Sequence, residues 1–297
     1  MLEKNNFPIQ HADSLETCFP VYLRSLTRPV ARLYWRGDLS ATCPRIAIVG
    51  TRKASPEGKK MAYHIAYTLA RAGWCVVSGL AFGIDAAAHQ GALAAGGITW
   101  AVLAHGLDTI QPKNNTALAH TILNQNGCLI SEYPAGTPPL PHRFLERNRI
   151  VSGLCEAVIV IEAPRASGSL ATAHHAREQH KPVFVFPGPA TSPLYAGSHE
   201  LIRQGARLVR NSDDILQDLA PYTTQTALPS IQKHQSTASL QPLEEKILAH
   251  LRAHKKTLSI DTLIDELGIA YHEIQPALAS LCSTQHIKEI GPQQYEA

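Results

Sequence analysis

An α/β fold with a doubly wound, mostly parallel sheet is expected for this 297-residue chain, on three observations. Seven short apolar runs, Arg45–Val49, Trp74–Ser78, Ile98–Leu103, Cys128–Ser131, Ala157–Ile161, Val183–Phe186 and Arg207–Val209, alternate with helical patterns. Most of them are apolar throughout rather than at every second position, as strands covered on both faces require. The segments between them have crossover length, clearest in Pro56–Ala72, where Ser55 is a good N-cap, Pro56 takes the first helical position and Gly73 ends the helix. Strand and helix in alternation give a parallel sheet, whose ligands bind beyond the carboxyl ends of the strands.

Before the first of these strands, the aromatic segment Leu33-Tyr34-Trp35-Arg36-Gly37-Asp38 either adds a strand or packs over the sheet. After the last, residues 221–242 are rich in Gln, Ser, Thr and Pro and read as a linker. Leu243–His254, Ile260–Leu267 and Tyr271–Cys282 then pattern as three short helices, followed by a β-like end around Ile287–Tyr295, the order of a small winged helix. The expected organisation is thus an N-terminal extension packing on the core over 1–44, the sheet domain over 45–220, a linker over 221–242 and a winged-helix-like domain over 243–297.

Composition narrows the class further. Hydrophobic residues at 44% and charged residues at 17% describe a soluble globular protein. No run approaches the ~20 apolar residues of a membrane span, and the first residues lack the apolar core of a signal peptide, so a cytoplasmic protein with no membrane partner is expected. The six cysteines form no CxxC pair, and Cys75, Cys128 and Cys155 lie in or beside apolar runs, which reads as buried free thiols in a reducing compartment. Net charge is only +3, yet residues 243–297 carry 5 Lys and Arg against 8 Asp and Glu, while residues 1–242 carry 22 against 16. Basic surface therefore belongs to the larger part.

The chemistry is expected in the loops that follow the strands. Gly50-Thr51-Arg52-Lys53-Ala54-Ser55 joins a strand to a capped helix, and a helix N-terminus with two cations beside it is suited to phosphate. Ser78-Gly79-Leu80-Ala81-Phe82-Gly83-Ile84-Asp85 and Ser167-Gly168-Ser169-Leu170 also put small residues where strand turns to helix. Each alone is equally well a tight turn. His142-Arg143-Phe144-Leu145-Glu146-Arg147-Asn148-Arg149 brings three arginines and an aromatic together, the pairing of phosphate grip and base-stacking face that single strands need, although a solvated arginine-rich helix start has the same composition. In a helix Phe144, Arg147 and Asn148 share a face and Arg149 points elsewhere. Lys113 adds a cation after another strand.

Other ligands and chemistries fit less well. Gly50 does not open a G-x-G-x-x-G sequence, and no Gly-Lys-Ser/Thr P-loop occurs, which argues against dinucleotides and nucleoside triphosphates. Asp85 and His89, four apart on a helix, read as a structural hydrogen bond before a catalytic pair. His174, His175 and Glu178 match no established metal spacing, and no G-x-S-x-G elbow is present. No catalytic residue, cofactor or metal is expected. In the C-terminal module Tyr271–His286 holds no Lys or Arg, which disfavours duplex reading by that helix.

Five motifs together resemble the DprA/Smf family of DNA-processing proteins of natural transformation: Ile48-Val49-Gly50-Thr51-Arg52, Ser78 to Asp85, Phe144 to Arg149, Ser167-Gly168-Ser169-Leu170-Ala171-Thr172-Ala173 and Phe186-Pro187-Gly188. The resemblance runs from about Phe19 to the C-terminus and is densest over 45–209. It implies an extended Rossmann-like domain that binds single-stranded DNA, forms a homodimer and helps load the RecA recombinase, with a C-terminal winged helix in many members. It assigns the phosphate pocket to Gly50, Thr51, Arg52 and Ser55, supported by Lys113 and the Phe144 to Arg149 motif. With the residues the loops single out, the expected DNA contacts are Gly50, Thr51, Arg52, Lys53, Ser55, Ser78, Gly79, Lys113, Arg143, Phe144, Arg147, Asn148, Arg149, Ser167, Gly168 and Ser169. Phe82 stands where relatives commonly carry Arg, Lys or Leu, Gln111 replaces a tyrosine before Pro112, and Leu145 a proline after Phe144. Of the helical domain that often precedes the Rossmann part in the family, at most a remnant is expected in the residues before Phe19. The alternative is a nucleotide phosphoribohydrolase-like enzyme on a similar sheet, but its P-G-G-x-G-T-x-x-E loop is replaced by Pro164-Arg165-Ala166-Ser167-Gly168-Ser169-Leu170-Ala171-Thr172-Ala173, without the acid.

Overall fold

The computed structural model describes residues 7–223, 242–254, 258–269, 287–291 and 294–296, together with positions 274, 278 and 281. The chain divides into two units, of which the larger contains a nine-stranded mixed sheet. Its strands are β1 (Gln10–Asp13), β2 (Arg32–Gly37), β3 (Arg45–Gly50), β4 (Cys75–Ser78), β5 (Thr99–Leu103), β6 (Cys128–Ser131), β7 (Ala157–Ile161), β8 (Val183–Val185) and β9 (Arg207–Leu208). Their order across the sheet is β1-β2-β6-β5-β4-β3-β7-β8-β9. From β6 to β9 every pairing is parallel, whereas β1–β2 and β2–β6 are antiparallel. Of the two expectations for the aromatic N-terminal segment, the structure takes the added strand, with Tyr34 opposite Ser131 and Gly37 opposite Cys128.

The seven expected parallel strands all form, β3 to β8 largely buried on both faces between two layers and the edge strand β9 exposed at both of its residues. Along β3, Ile46 and Ile48 face a layer formed by α1 (Pro56–Arg71), α2 (Ile84–Ala94) and α7 (Ser212–Thr223). Ala47 and Val49 face the opposite layer, which holds α4 (Pro141–Gly153), α5 (Ser169–Glu178), α6 (Ala196–Arg203) and the N-terminal Phe19 and Leu23. Successive residues pointing to opposite faces, both buried, is what a doubly covered strand requires. The short helix α3 (Thr116–Asn124) closes a further apolar cluster with Leu103 and Leu129. Cys75, Cys128 and Cys155 are buried free thiols.

Strand order reverses at β3. The chain runs outward through β4, β5 and β6, then returns to lay β7 against the other side of β3, with Gly50 paired to Ile161. The carboxyl ends of β3 and β7 therefore diverge into loops that lead to helices on opposite faces, and the crevice between them is where this architecture presents ligands.

The smaller unit comprises α8 (Pro242–His254), β10 (Leu258–Ser259), α9 (Ile260–Leu267), β11 (Lys288–Gly291) and β12 (Gln294–Glu296), with sheet order β10-β12-β11. The Ser259 hydroxyl accepts from the Thr262 amide at 3.2 Å to cap α9, and Gly268, at φ +64°, ends it. Ile247, Leu251, Leu263, Leu278 and Tyr295 share its core. The expected linker over 221–242 is corrected at both ends, since α7 continues through residue 223 and α8 begins at Pro242, while its remainder and most of the expected helix over Tyr271–Cys282, on which the winged-helix reading rests, lie outside the described residues.

Two measurements follow from the packing. Gly91 of α2 lies so close to α1 that a Cβ there would stand 2.9 Å from the Tyr63 Cα. Gly91→Ala, which ordinarily favours a helix, is instead expected to cost roughly 1–3 kcal/mol in urea unfolding. His89, fully buried on α2, meets the Thr99 hydroxyl at 2.7 Å, not Asp85 as the helical spacing implied. Burial, and secondarily the Arg147 charge, pushes its pKa from 6.5 down to about 3. The unfolded chain takes this proton near pH 6.5, so the stability His89 contributes at neutral pH is lost as pH falls from there toward 3. The expected loss approaches roughly 1.4 kcal/mol per pH unit, read as a steeper acid-side slope in the unfolding free energy of the parent than of His89→Asn.

Candidate nucleic-acid interface

A cavity of about 430 Å³ opens at the crevice between β3 and β7. It is floored by Val49, Gly50 and Thr51, walled on one side by Ala166 to Ser169 and Thr172, and on the other by Pro141, Phe144, Leu145, Arg147 and Asn148 of α4, with Arg52 and Lys53 at the turn. Gly50 is required by the floor itself, since a Cβ there would approach the Ile84 side chain to 2.5 Å while pressing on the Ile161 carbonyl.

The position of α4 is set by one buried charge. Arg147 is 4% exposed and points into the sheet, where Nη1 donates to the Gly79 carbonyl at 3.0 Å and also to the Val102 carbonyl. Burial pushes its pKa down to about 10, against the opposing pull of the nearby Asp85 carboxylate. Asp85 is itself buried, which raises its pKa, and its Oδ2 accepts from the Gly79 amide at 3.1 Å and the Ala81 amide at 3.3 Å. Asn115 completes the loop by donating to the Leu80 and Ala81 carbonyls at 2.8 and 3.2 Å. Gly79 has no room for a side chain because the Arg147 guanidinium fills the space.

With Arg147 turned inward, the outer surface of α4 carries the recognition groups. Phe144 is half-buried, and the Arg52 guanidinium sits over its ring at 4.9 Å from the centroid. A cation held over a ring in this way keeps N–H donors to offer, and Arg52 makes no hydrogen bond or ion pair among the described residues. Lys53 is exposed beside it. Asn148 donates to the Gly168 carbonyl at 3.0 Å, tying α4 to the turn before α5, where the Ser167 and Ser169 hydroxyls lie 2.7 Å apart.

The structure brings ten of the sixteen expected contact residues to this cavity: Gly50, Thr51, Arg52, Lys53, Phe144, Arg147, Asn148, Ser167, Gly168 and Ser169. Six do not line it. Ser78 is fully buried and donates to the Ile48 carbonyl at 2.7 Å. Gly79 lies behind Arg147, and Ser55 is engaged by Glu162. Arg143 donates to the Pro138 carbonyl and stacks on Tyr133 at 5.1 Å. Arg149, on the far side of α4 as its spacing implied, pairs with Glu132 at 2.5 Å. Lys113 is exposed on the turn before α3. Phe82, 45% exposed, does not line the cavity.

Helix N-termini, which the sequence offered as phosphate seats, are occupied from within. At α5 the Leu170 and Ala171 amides bond the Ser167 and Gly168 carbonyls. At α1 the Ser55 amide donates to Glu162 Oε2 at 2.9 Å. Sequence reading passed over Glu162, although an acid directly after the apolar run Ala157–Ile161 was a visible irregularity. Fixed charge at the cavity therefore comes from side chains, above all Arg52 and Lys53. Among the described residues no group of His, Cys, Asp and Glu could hold a metal ion. His174 and His175 each pair instead with Glu178, at 3.4 and 3.1 Å.

Comparison with known proteins gives a consistent result. The family model for DNA recombination-mediator protein A matches residues 10–220. Protein Smf of Escherichia coli K12 is 43% identical over 219 residues, covering 73% of this chain and 58% of that protein. DNA processing protein DprA of Bacillus subtilis is 39% identical over 213 residues, 71% of each. Among solved structures, DNA processing protein A of Streptococcus pneumoniae superposes with a TM-score of 0.67 at 39% identity, over 73% of this chain and 75% of that one. DNA processing protein A of Helicobacter pylori, which has a unique single-stranded DNA binding mode, does so at 0.64 and 32%, over 73% and 98%.

Loss of the buried clamp has a measurable consequence. Arg147→Met leaves the Gly79 and Val102 carbonyls and the Asp85 carboxyl without their cationic neighbour and is expected to cost about 3 kcal/mol in urea unfolding, whereas exposed Arg52→Ala stays within about 0.5 kcal/mol of the parent.

Proposed function

The chain belongs to the DNA recombination-mediator protein A family, and from that premise we propose that it binds single-stranded DNA along the cavity between β3 and β7, protects incoming strands during natural transformation and helps load the RecA recombinase onto them. The observation that carries the reading is the stack of Arg52 on Phe144 at the cavity. A guanidinium with its N–H donors unspent offers bidentate hydrogen bonds to a phosphate, and a partly exposed ring next to it offers a face to the adjoining base. Lys53 extends the cationic edge, and the Ser167 and Ser169 hydroxyls supply neutral donors across the cleft. A repeating polymer of phosphate and base matches this alternation of groups better than a free nucleotide does.

Binding of this kind is sequence-tolerant, because every base has a face to stack and every phosphate the same charge. It is non-catalytic and needs no cofactor. The relative from Helicobacter pylori supports single strands as the ligand. A homodimer, and a winged helix within the smaller unit, complete the proposal by family likeness. The match covers 58% of the Escherichia coli relative's length, so RecA loading is proposed as a property of the family architecture.

Fluorescence anisotropy with a labelled oligo-dT tests the site. Arg52→Ala is expected to weaken binding about tenfold at ~0.15 M salt and to flatten the slope of log affinity against log salt by ~0.7. An unchanged affinity overturns the assignment, and efficient base release from nucleoside monophosphates would favour an enzyme instead.

A further inference from the structure

The inner end of the crevice contains a carboxylate where comparable folds offer a free helix N-terminus. Glu162 follows β7 directly and is 0% exposed. Its backbone is held at φ +50°, a left-handed conformation that is unusual for a residue other than glycine, and its carbonyl accepts from the Thr51 amide at 2.8 Å. That conformation sends the side chain across the switch point to the start of α1. There Oε2 accepts from the Ser55 amide at 2.9 Å, and Oε1 accepts from the Ser55 hydroxyl and, at 3.1 Å, from Tyr195. Ser55 in turn accepts from the Gly58 amide at 2.9 Å, so the helix cap and the carboxylate form one relay.

We infer that Glu162 is a built-in anion that occupies the phosphate seat of α1 and so excludes phosphate monoesters from the inner end of the crevice. Two independent observations agree on it. The donors converge as they would on a phosphate: the amide and the hydroxyl of the N-cap residue Ser55 and the phenol of Tyr195, all aimed at one buried carboxylate. Gly58 has also been fitted to that carboxylate, because a Cβ on it would fall 2.6 Å from Oε1 and closer still to the other carboxylate atoms. The seat is thereby closed to a terminal phosphate, and phosphate binding is left to the outer edge at Arg52 and Lys53, which a continuous strand can reach without entering. The inference stands whether or not the outer cavity takes DNA.

Thermal unfolding of the full chain tests it, with inorganic phosphate as probe against chloride at matched ionic strength. Phosphate stabilises folded proteins in general, so the reading is the difference between variant and parent. Glu162→Gly is expected to melt several degrees below the parent in chloride and to recover most of that loss in phosphate, with a saturable dose dependence. Equal responses in parent and variant overturn the proposal. A variant that folds only in phosphate supports it, and one that fails to fold in phosphate and chloride alike counts against it. A second measurement uses no anion: Gly58→Ala is expected to lower the melting temperature of the parent but to raise that of Glu162→Gly, since the clash disappears and the helix preference remains. The same decrease in both backgrounds overturns the proposed fit. Oligo-dT affinity, read separately, reports on the outer cavity alone.

Discussion

A single guanidinium with almost no access to water holds the site in shape. Placing the Arg147 charge inside the sheet domain costs several kcal/mol in principle, and the fold offsets that cost with two main-chain carbonyls, of Gly79 and Val102, and a buried carboxylate nearby. Gly79 directly follows β4 and Val102 lies near the carboxyl end of β5, so the charge couples α4 to both strands at once. Gly79 is small because the guanidinium is there, and Asp85 tolerates burial because two amides and that charge face it. Phe144, one turn earlier on α4, inherits its place at the cavity from this anchor. The arginine that resembles a ligand in sequence thus acts as the frame on which the ligand-facing residues are mounted.

Amides at the starts of two helices beside the cavity are taken up within the fold, by the Ser167 and Gly168 carbonyls at α5 and by Ser55 together with Glu162 at α1. Fixed backbone dipoles consequently contribute little unsatisfied attraction, and the positive character of the cleft comes from two exposed side chains, Arg52 and Lys53. Such a surface favours a polyanion that gains from many weak contacts over a small anion that needs one enclosed seat.

Much of this was legible in the sequence, for identifiable reasons. Parallel strands covered on both faces leave uninterrupted apolar runs, so Ala157–Ile161 and Cys128–Ser131 are found at their observed limits. Ser55 and Pro56 announce the start of α1 because caps are local chemistry. What stayed hidden depends on pairing across distance. Arg52, Arg143, Arg147 and Arg149 are one residue type, and only the packing of α4 against the sheet separates an exposed cation from a buried clamp. Glu162 acquires its role from the register of β7 on β3, which no local pattern encodes. His89 likewise found Thr99 on a neighbouring strand rather than Asp85 on its own helix.

The antiparallel strand β2 carries a consequence for how the molecule is made. It precedes the parallel core in the chain, yet the edge it covers belongs to β6, about a hundred residues later. During synthesis the segment emerges first and must wait, its aromatic side chains uncovered, while the strands between are formed and docked. Closure of that side of the sheet is therefore a long-range event, entropically expensive and late. Residues translated ahead of the parallel core are thus among the last to find their place, and the interval before they do is when this chain has most to gain from a chaperone.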